Sequence, residues 1–242
     1  MPAPLMIHKA TASEFRGLRP ACVDCVLRQF CAPGLGHPRA AGFAQHKAQK
    51  GTVLYLQGSN PERVWTVCQG SAKLVHSDRG GQEDVLALMG PGTVFGHEEI
   101  FHASHGATAV IVQSGVIASM RKDAVIARME CDAAFARMLY SALAEWSEQM
   151  MRRATESSRG TSRQRLARLL LRLAGQFGAP TPEGTRITMV LQRREIAGMI
   201  GLEPETVTRL LGGLFDEGIV RELRRGEFLL ADPARLHRMA HV

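Results

Sequence analysis

A chain of 242 residues is long enough for one large or two ordinary domains, and an apolar fraction of 45% lets it build hydrophobic cores. No apolar run is long enough to span a bilayer, and Met1 to Pro20 lacks the continuous apolar stretch of a secretion signal, so a cytoplasmic protein without a membrane partner is expected. The net charge of +7 is unevenly spread: from Arg152 onward there are 16 Arg, no Lys and 10 acidic residues, a net +6, and such an excess points to a polyanionic partner.

Residues 1–45 read as an irregular arm, with Pro20, Pro33, Gly34, Gly36 and Pro38. Three of the five cysteines, Cys22, Cys25 and Cys31, crowd into it, while Cys68 and Cys131 lie further on. Clustered thiols in a cytosolic chain bind metal or do redox chemistry more often than they form disulfides. Residues 46–130 change pattern. Short apolar runs (Thr52–Leu56, Val64–Val67, Ala72–Val75, Val85–Met89, Thr108–Val112) alternate with turn residues such as Gly58-Ser-Asn-Pro61 and Gly90-Pro-Gly92. That spacing predicts an antiparallel β-barrel or roll.

Residues 131–158 predict a long helix. Phe135, Leu139, Ala142, Trp146 and Gln149 or Met150 recur at intervals of four and three, which places them on one seam. The seam buries itself either against a second copy of the helix, giving a homodimer, or against the β domain of the same chain. Residues 159–242 open with a break at Ser157–Thr161 and a helix over about Arg163–Phe177, ended by Gly178-Ala-Pro-Thr-Pro182. Arg186–Val190 has strand character.

The segment Arg193–Leu214 is the most informative. Ile196, Ala197 and Ile200 make the inner face of a short helix, Gly201 supports a tight turn, and Leu202 fills the space before a second helix. Pro204 suits that helix's first turn, and Val207, Leu210, Leu211 and Leu214 form its buried face. This is a helix-turn-helix pattern. Glu205, Thr206, Thr208 and Arg209 are left outside at its N-terminal end. Arg can bind guanine O6 and N7 bidentately, Glu can accept from a cytosine amino group, and Thr offers a methyl and a hydroxyl. Gly218–Leu223 and Glu227–Leu230 then read as a two-stranded wing, whose turn carries Arg224 and Arg225 toward phosphate. Double-stranded DNA is the expected partner.

From Cys22 to the wing, the chain resembles the CRP/FNR superfamily of bacterial transcription regulators. The resemblance implies an α+β fold: an N-terminal antiparallel β-roll (a cyclic-nucleotide-binding-like jelly roll), a dimerisation helix, and a C-terminal winged helix-turn-helix. Glu205-Thr-Val-Thr-Arg209 is similar to the E-x-x-S-R signature of the FNR branch, with Thr208 in place of Ser. That similarity implies a TTGAT-like half-site, an inverted repeat for the dimer, and contact with RNA polymerase. The Gly-Glu and Arg-Ser elements that hold a cyclic phosphate in this superfamily correspond to Phe95-Gly-His-Glu-Glu-Ile-Phe101 and His105-Gly-Ala-Thr108, without an Arg, so cAMP is not expected.

Cys22-x2-Cys25-x5-Cys31 matches the N-terminal ligand spacing of oxygen-sensing FNR proteins, implying a [4Fe-4S] cluster and oxygen or redox control, with zinc as the other thiolate metal. Ile117 stands where that branch places a later Cys. The fourth ligand is then Cys68, Cys131, a carboxylate such as Asp24, or a His. Competing expectations are a regulator of the same fold without a cluster that senses nitric oxide, haem or another small effector, with His97, His102 and His105 as candidate ligands. A redox enzyme is disfavoured: the sequence has no phosphate loop, nucleotide fingerprint or nucleophile constellation.

Overall fold

The computed structural model describes residues 8–9, 43–81 and 83–241. Two compact units divide the chain: one runs to Ser147 apart from Glu83–Val85, and the other takes Glu83–Val85 and the chain from Glu148 onward. Among the described residues no helix is long and apolar enough to cross a membrane.

The first unit is built on one antiparallel sheet. Its strands are β1 (His8–Lys9), β2 (Ala44–Ala48), β3 (Val53–Tyr55), β4 (Arg63–Ser77), β5 (Glu83–Met89), β6 (Val94–Phe95) and β7 (Thr108–Arg121). The order is β1-β2-β7-β4-β5, with β3 also on β7 and β6 also on β4. The apolar runs Val64–Val67 and Ala72–Val75 are halves of the single strand β4. Register shifts between Val67 and Ala72 absorb the interruption at Gly70, as a bulge does. Strand β1, paired through His8 with Lys47, lies in a stretch expected to be irregular.

Two helices close the roll. Helix α1 (Lys122–Cys131) was not expected from its pattern, because only Val125 is buried and no apolar stripe marks it. Helix α2 (Ala133–Ser158) begins where the Asp132 carboxylate accepts the N–H groups of Ala134 and Phe135, each at 3.0 Å. Those bonds, the one from Phe135 foremost, hold the Asp132 carboxyl below the ordinary carboxylate range.

The seam of α2 turns inward, onto the roll of its own chain, not toward a second copy of the helix. Phe135, Leu139 and Ala142 pack with Phe43, Val64, Val94 and Met120 in the core of the roll, so they belong to their own chain. Trp146 and Met150 are half-buried. The other flank of the helix carries exposed Tyr140, Leu143 and Met151. The helical period was right, but two apolar flanks share it, and period alone cannot assign a partner to either.

The second unit holds α3 (Ser162–Phe177), α4 (Arg193–Ile200), α5 (Pro204–Asp216) and α6 (Pro233–His241), with strands β8 (Gly178–Thr181), β9 (Gly184–Ile187), β10 (Val220–Arg224) and β11 (Glu227–Leu230). Thr161 caps α3 in a reciprocal pair with Gln164. Leu166, Leu169, Leu170 and Leu173 form its buried face. The expected two-stranded wing is half of a four-stranded sheet, β10-β11-β9-β8, since Gly178–Thr181 pairs with β9 instead of only ending α3. Helix α6, absent from the sequence reading, lies on α3 and buries Leu236 and Ala240.

Candidate nucleic-acid interface

The reading head is α4, a turn and α5. Gln192 and Glu195 cap α4 reciprocally, the Gln192 N–H donating to Glu195 Oε2 at 2.9 Å. Gly201 ends the helix at φ 61°, ψ 50°, the left-handed conformation that glycine adopts at least cost. The Arg165 guanidinium donates to Ile200 O at 2.8 Å, tying α3 to the free carbonyl end of α4. Pro204 occupies the first turn of α5. Val207, Leu211 and Leu214 are buried beneath it, while Leu210 is only half-buried.

This packing turns the other side of α5 outward. Glu205, Thr208 and Arg209 are exposed and Thr206 is half-buried. Neither Glu205 nor Arg209 takes an ion-pair partner among the described residues, so carboxylate and guanidinium both face solvent. The Thr208 hydroxyl differs from expectation: it donates to Pro204 O at 2.9 Å within its own helix, leaving its methyl and lone pairs outward.

The wing is fastened to α4. Arg193 grips Glu222 through two hydrogen bonds of 2.8 and 2.6 Å, and its guanidinium lies 5.4 Å from the Phe228 ring centre. Glu222 also accepts the Gly226 N–H at 2.6 Å, and Gly226 O accepts the Leu191 N–H at 2.9 Å. Arg193 foremost, with Gly226 and Arg225 after it, holds the Glu222 carboxyl below its usual range against the opposing pull of burial. Arg224 and Arg225 are thereby presented, exposed, on the wing turn.

Between wing and α5 runs an open groove of about 1070 Å³, lined by Gln192, Arg193, Arg194, Pro204, Thr208, Arg224 and Arg225. The sequence reading missed Arg194, an exposed cation at the start of α4 whose place beside the wing turn no local pattern reveals. Many other arginines of the basic half serve the fold instead. Arg163 and Arg235 both bind Glu217, Arg186 binds Glu227, and Arg221 binds Glu183.

The candidate metal ligands fare differently. Cys22, Cys25 and Cys31 lie outside the described residues. Cys68 is half-buried against the roll core, and Cys131 is exposed, its thiol donating to Arg128 O at 3.6 Å. Among the described residues no group of three or more His, Cys, Asp or Glu side chains could hold a metal ion. His102 is exposed, while His97 and His105 are buried beside Glu98 and Glu99, at 3.1 and 2.7 Å.

A β-roll followed by a long helix and a winged helix-turn-helix with an exposed, cation-flanked reading edge defines a DNA-binding transcription regulator. Residues 45–131 match the cyclic nucleotide-binding domain family and residues 164–239 the Crp-like helix-turn-helix domain family. The chain is 31% identical to the global nitrogen regulator of Synechococcus elongatus, over 71% of this chain and 79% of that one. It is 27% identical to the cyclic AMP receptor protein of Thermus thermophilus, over 86% and 87% of the two chains. The structure of FixK2 from Bradyrhizobium japonicum shares the fold at a TM-score of 0.72 and 24% identity, covering 83% of this chain and 98% of that one. The chain belongs to the CRP/FNR family of transcription regulators, which are not enzymes and typically act as dimers.

Proposed function

We propose that the protein is a homodimer that reads an inverted repeat of TTGAT-like half-sites, and that thiolates in its N-terminal arm make this binding respond to oxygen or redox state. The observation that carries the DNA reading is the pair Glu205 and Arg209, exposed one helical turn apart at the front of α5 beside the wing arginines. Arg209 reads a guanine edge and Glu205 a cytosine amino group, while Arg194, Arg224 and Arg225 hold phosphates. The exposed flank of α2, with Tyr140, Leu143 and Met151, meets the same flank of a second copy and sets the two α5 helices about one turn of DNA apart, roughly 34 Å. RNA polymerase is the further partner that family membership implies, and the cytoplasm is the compartment where such a regulator acts.

The redox reading rests on Cys22, Cys25 and Cys31, soft ligands at the spacing described above, with Cys68 as the fourth. A [4Fe-4S] cluster bound there would supply oxidant sensitivity to the arm that holds it. The effector is not cAMP: the loop that corresponds to a phosphate site carries Glu98 and Glu99 and no guanidinium.

Anisotropy titration of the anaerobically purified protein with a TTGAT inverted repeat, before and after air, tests both parts. Tight binding that needs Arg209 supports the DNA reading, and binding that Arg209→Ala leaves as selective as before refutes it. Iron content and colour decide the metal: a colourless protein holding zinc, or holding no metal, removes the cluster.

A further inference from the structure

The loop from Gly96 to Ala107 carries a carboxylate held as a bound anion would be. Glu99 Oε1 accepts the Gly106 N–H at 2.7 Å, and Glu99 Oε2 lies 2.7 Å from His105 Nδ1. A carboxylate can only accept, so Nδ1 carries the hydrogen. A backbone N–H and a ring N–H thus converge on one charge-assisted acceptor. The cradle is fitted: a Cβ on Gly106 would stand 2.9 Å from Glu99 Oε1. It is also braced from outside. His105 O accepts the Gly58 N–H at 2.7 Å, the His105 N–H donates to Ser59 O at 2.8 Å, and the His105 ring stacks on Tyr55 at 3.7 Å.

The surroundings oppose a second anion. Burial first, and then the charges of Glu98 and Glu99, push the Tyr55 phenol far above its usual value. The neighbouring His97 is buried: its Nδ1 lies 3.1 Å from Glu98 Oε2 without hydrogen-bond alignment, and its Nε2 has no hydrogen-bond partner among the described residues. An arriving phosphate would meet two carboxylates and no cation of the loop.

We propose that Glu99 is a tethered ligand, a carboxylate carried by the chain itself that fills the anion position of this loop and closes it with no anionic effector bound. The inference deepens the reading that the roll is not a cyclic-nucleotide receptor, and rests on it.

Full-length wild type, Glu99→Ala and Glu99→Gln are compared by thermal unfolding in chloride and in acetate at equal ionic strength. Each is also titrated calorimetrically with inorganic phosphate and with cyclic AMP. In Glu99→Ala the two donors are open, so acetate raises its unfolding temperature and leaves wild type and Glu99→Gln unmoved. Its phosphate affinity exceeds that of wild type by about tenfold or more, the scale of one charge-assisted hydrogen bond. Acetate that fails to move Glu99→Ala, or moves Glu99→Gln equally, overturns the tethered ligand alone. Cyclic AMP binding to wild type overturns the underlying reading of the roll as well. Should Glu99→Ala not fold, imidazole proton exchange in the wild type decides: slow exchange of the His105 Nδ1–H supports the proposal, and exchange as fast as that of exposed His102 overturns it.

Discussion

Replacing Gly226 with alanine tests whether the wing works as part of the reading head. Gly226 sits at φ 82°, where an L side chain costs about 1–2 kcal/mol. A Cβ there would stand 2.5 Å from Leu191 O and 3.1 Å from Val190 Cγ1, so the turn must move away from the segment leading into α4. That movement breaks the Leu191 N–H to Gly226 O bond, a further 0.5–1.5 kcal/mol or so. The expected loss is about 1.5–3.5 kcal/mol of stability in the second unit. Displacing the turn also withdraws Arg224 and Arg225 from phosphate. Each lost phosphate contact lowers the slope of log affinity against log salt by about 0.9, so the slope falls by nearly two per protomer. Anisotropy titrations across a salt series, with a denaturant melt of the same samples, measure both quantities. A Gly226→Ala protein with unchanged stability and an unchanged salt slope would show that the wing neither clasps α4 nor touches DNA. Gly212→Ala is the control. Its Cβ meets nothing within 4 Å inside α5, so it should stabilise the helix by about 0.5–1 kcal/mol and leave the slope alone.

Other outcomes follow from the same geometry. Arg209→Ala and Glu205→Ala should each cost roughly 1–3 kcal/mol of preference for the specific site over competitor DNA, measured by competition titration. The Glu222 carboxyl is held low in the folded protein, chiefly by Arg193, so its contribution is full above the ordinary carboxylate range and fades as pH falls through the folded value. Denaturant melts of Glu222→Gln across acidic pH should therefore lack a decline of about 1 kcal/mol that wild type shows. Phe135→Ala should destabilise the roll by about 3–5 kcal/mol, read by calorimetry. Leu143→Glu should leave the roll folded and shift sedimentation toward monomer, since Leu143 is exposed.

The helix-turn-helix was readable because every level agrees there. Apolar positions fall at helical spacing, Gly201 marks the turn, Pro204 marks the restart, and the polar residues fall together on the remaining face. The roll was readable as a type, yet its long strand β4 looked like two short ones, because a bulge interrupts the alternation without interrupting the strand. Helix α1 escaped because it buries only Val125, too little to create a period, while α6 is a short helix whose apolar Leu236 and Ala240 do fall at helical spacing but span little more than one turn. The wing clasp escaped for another reason: Arg193 and Glu222 are far apart in the chain, and nothing local tells an arginine bound to carboxylate from one facing phosphate. Assigning the flanks of α2 required the roll itself, whose core takes Phe135, Leu139 and Ala142 before a second chain can.

Because Phe135 and Leu139 are keyed into the roll, α2 cannot spin about its axis without lifting large side chains out of an apolar socket. Any movement of α2 against the roll is therefore a tilt or a slide of the helix as a shaft, carrying Tyr140 and Leu143 with it.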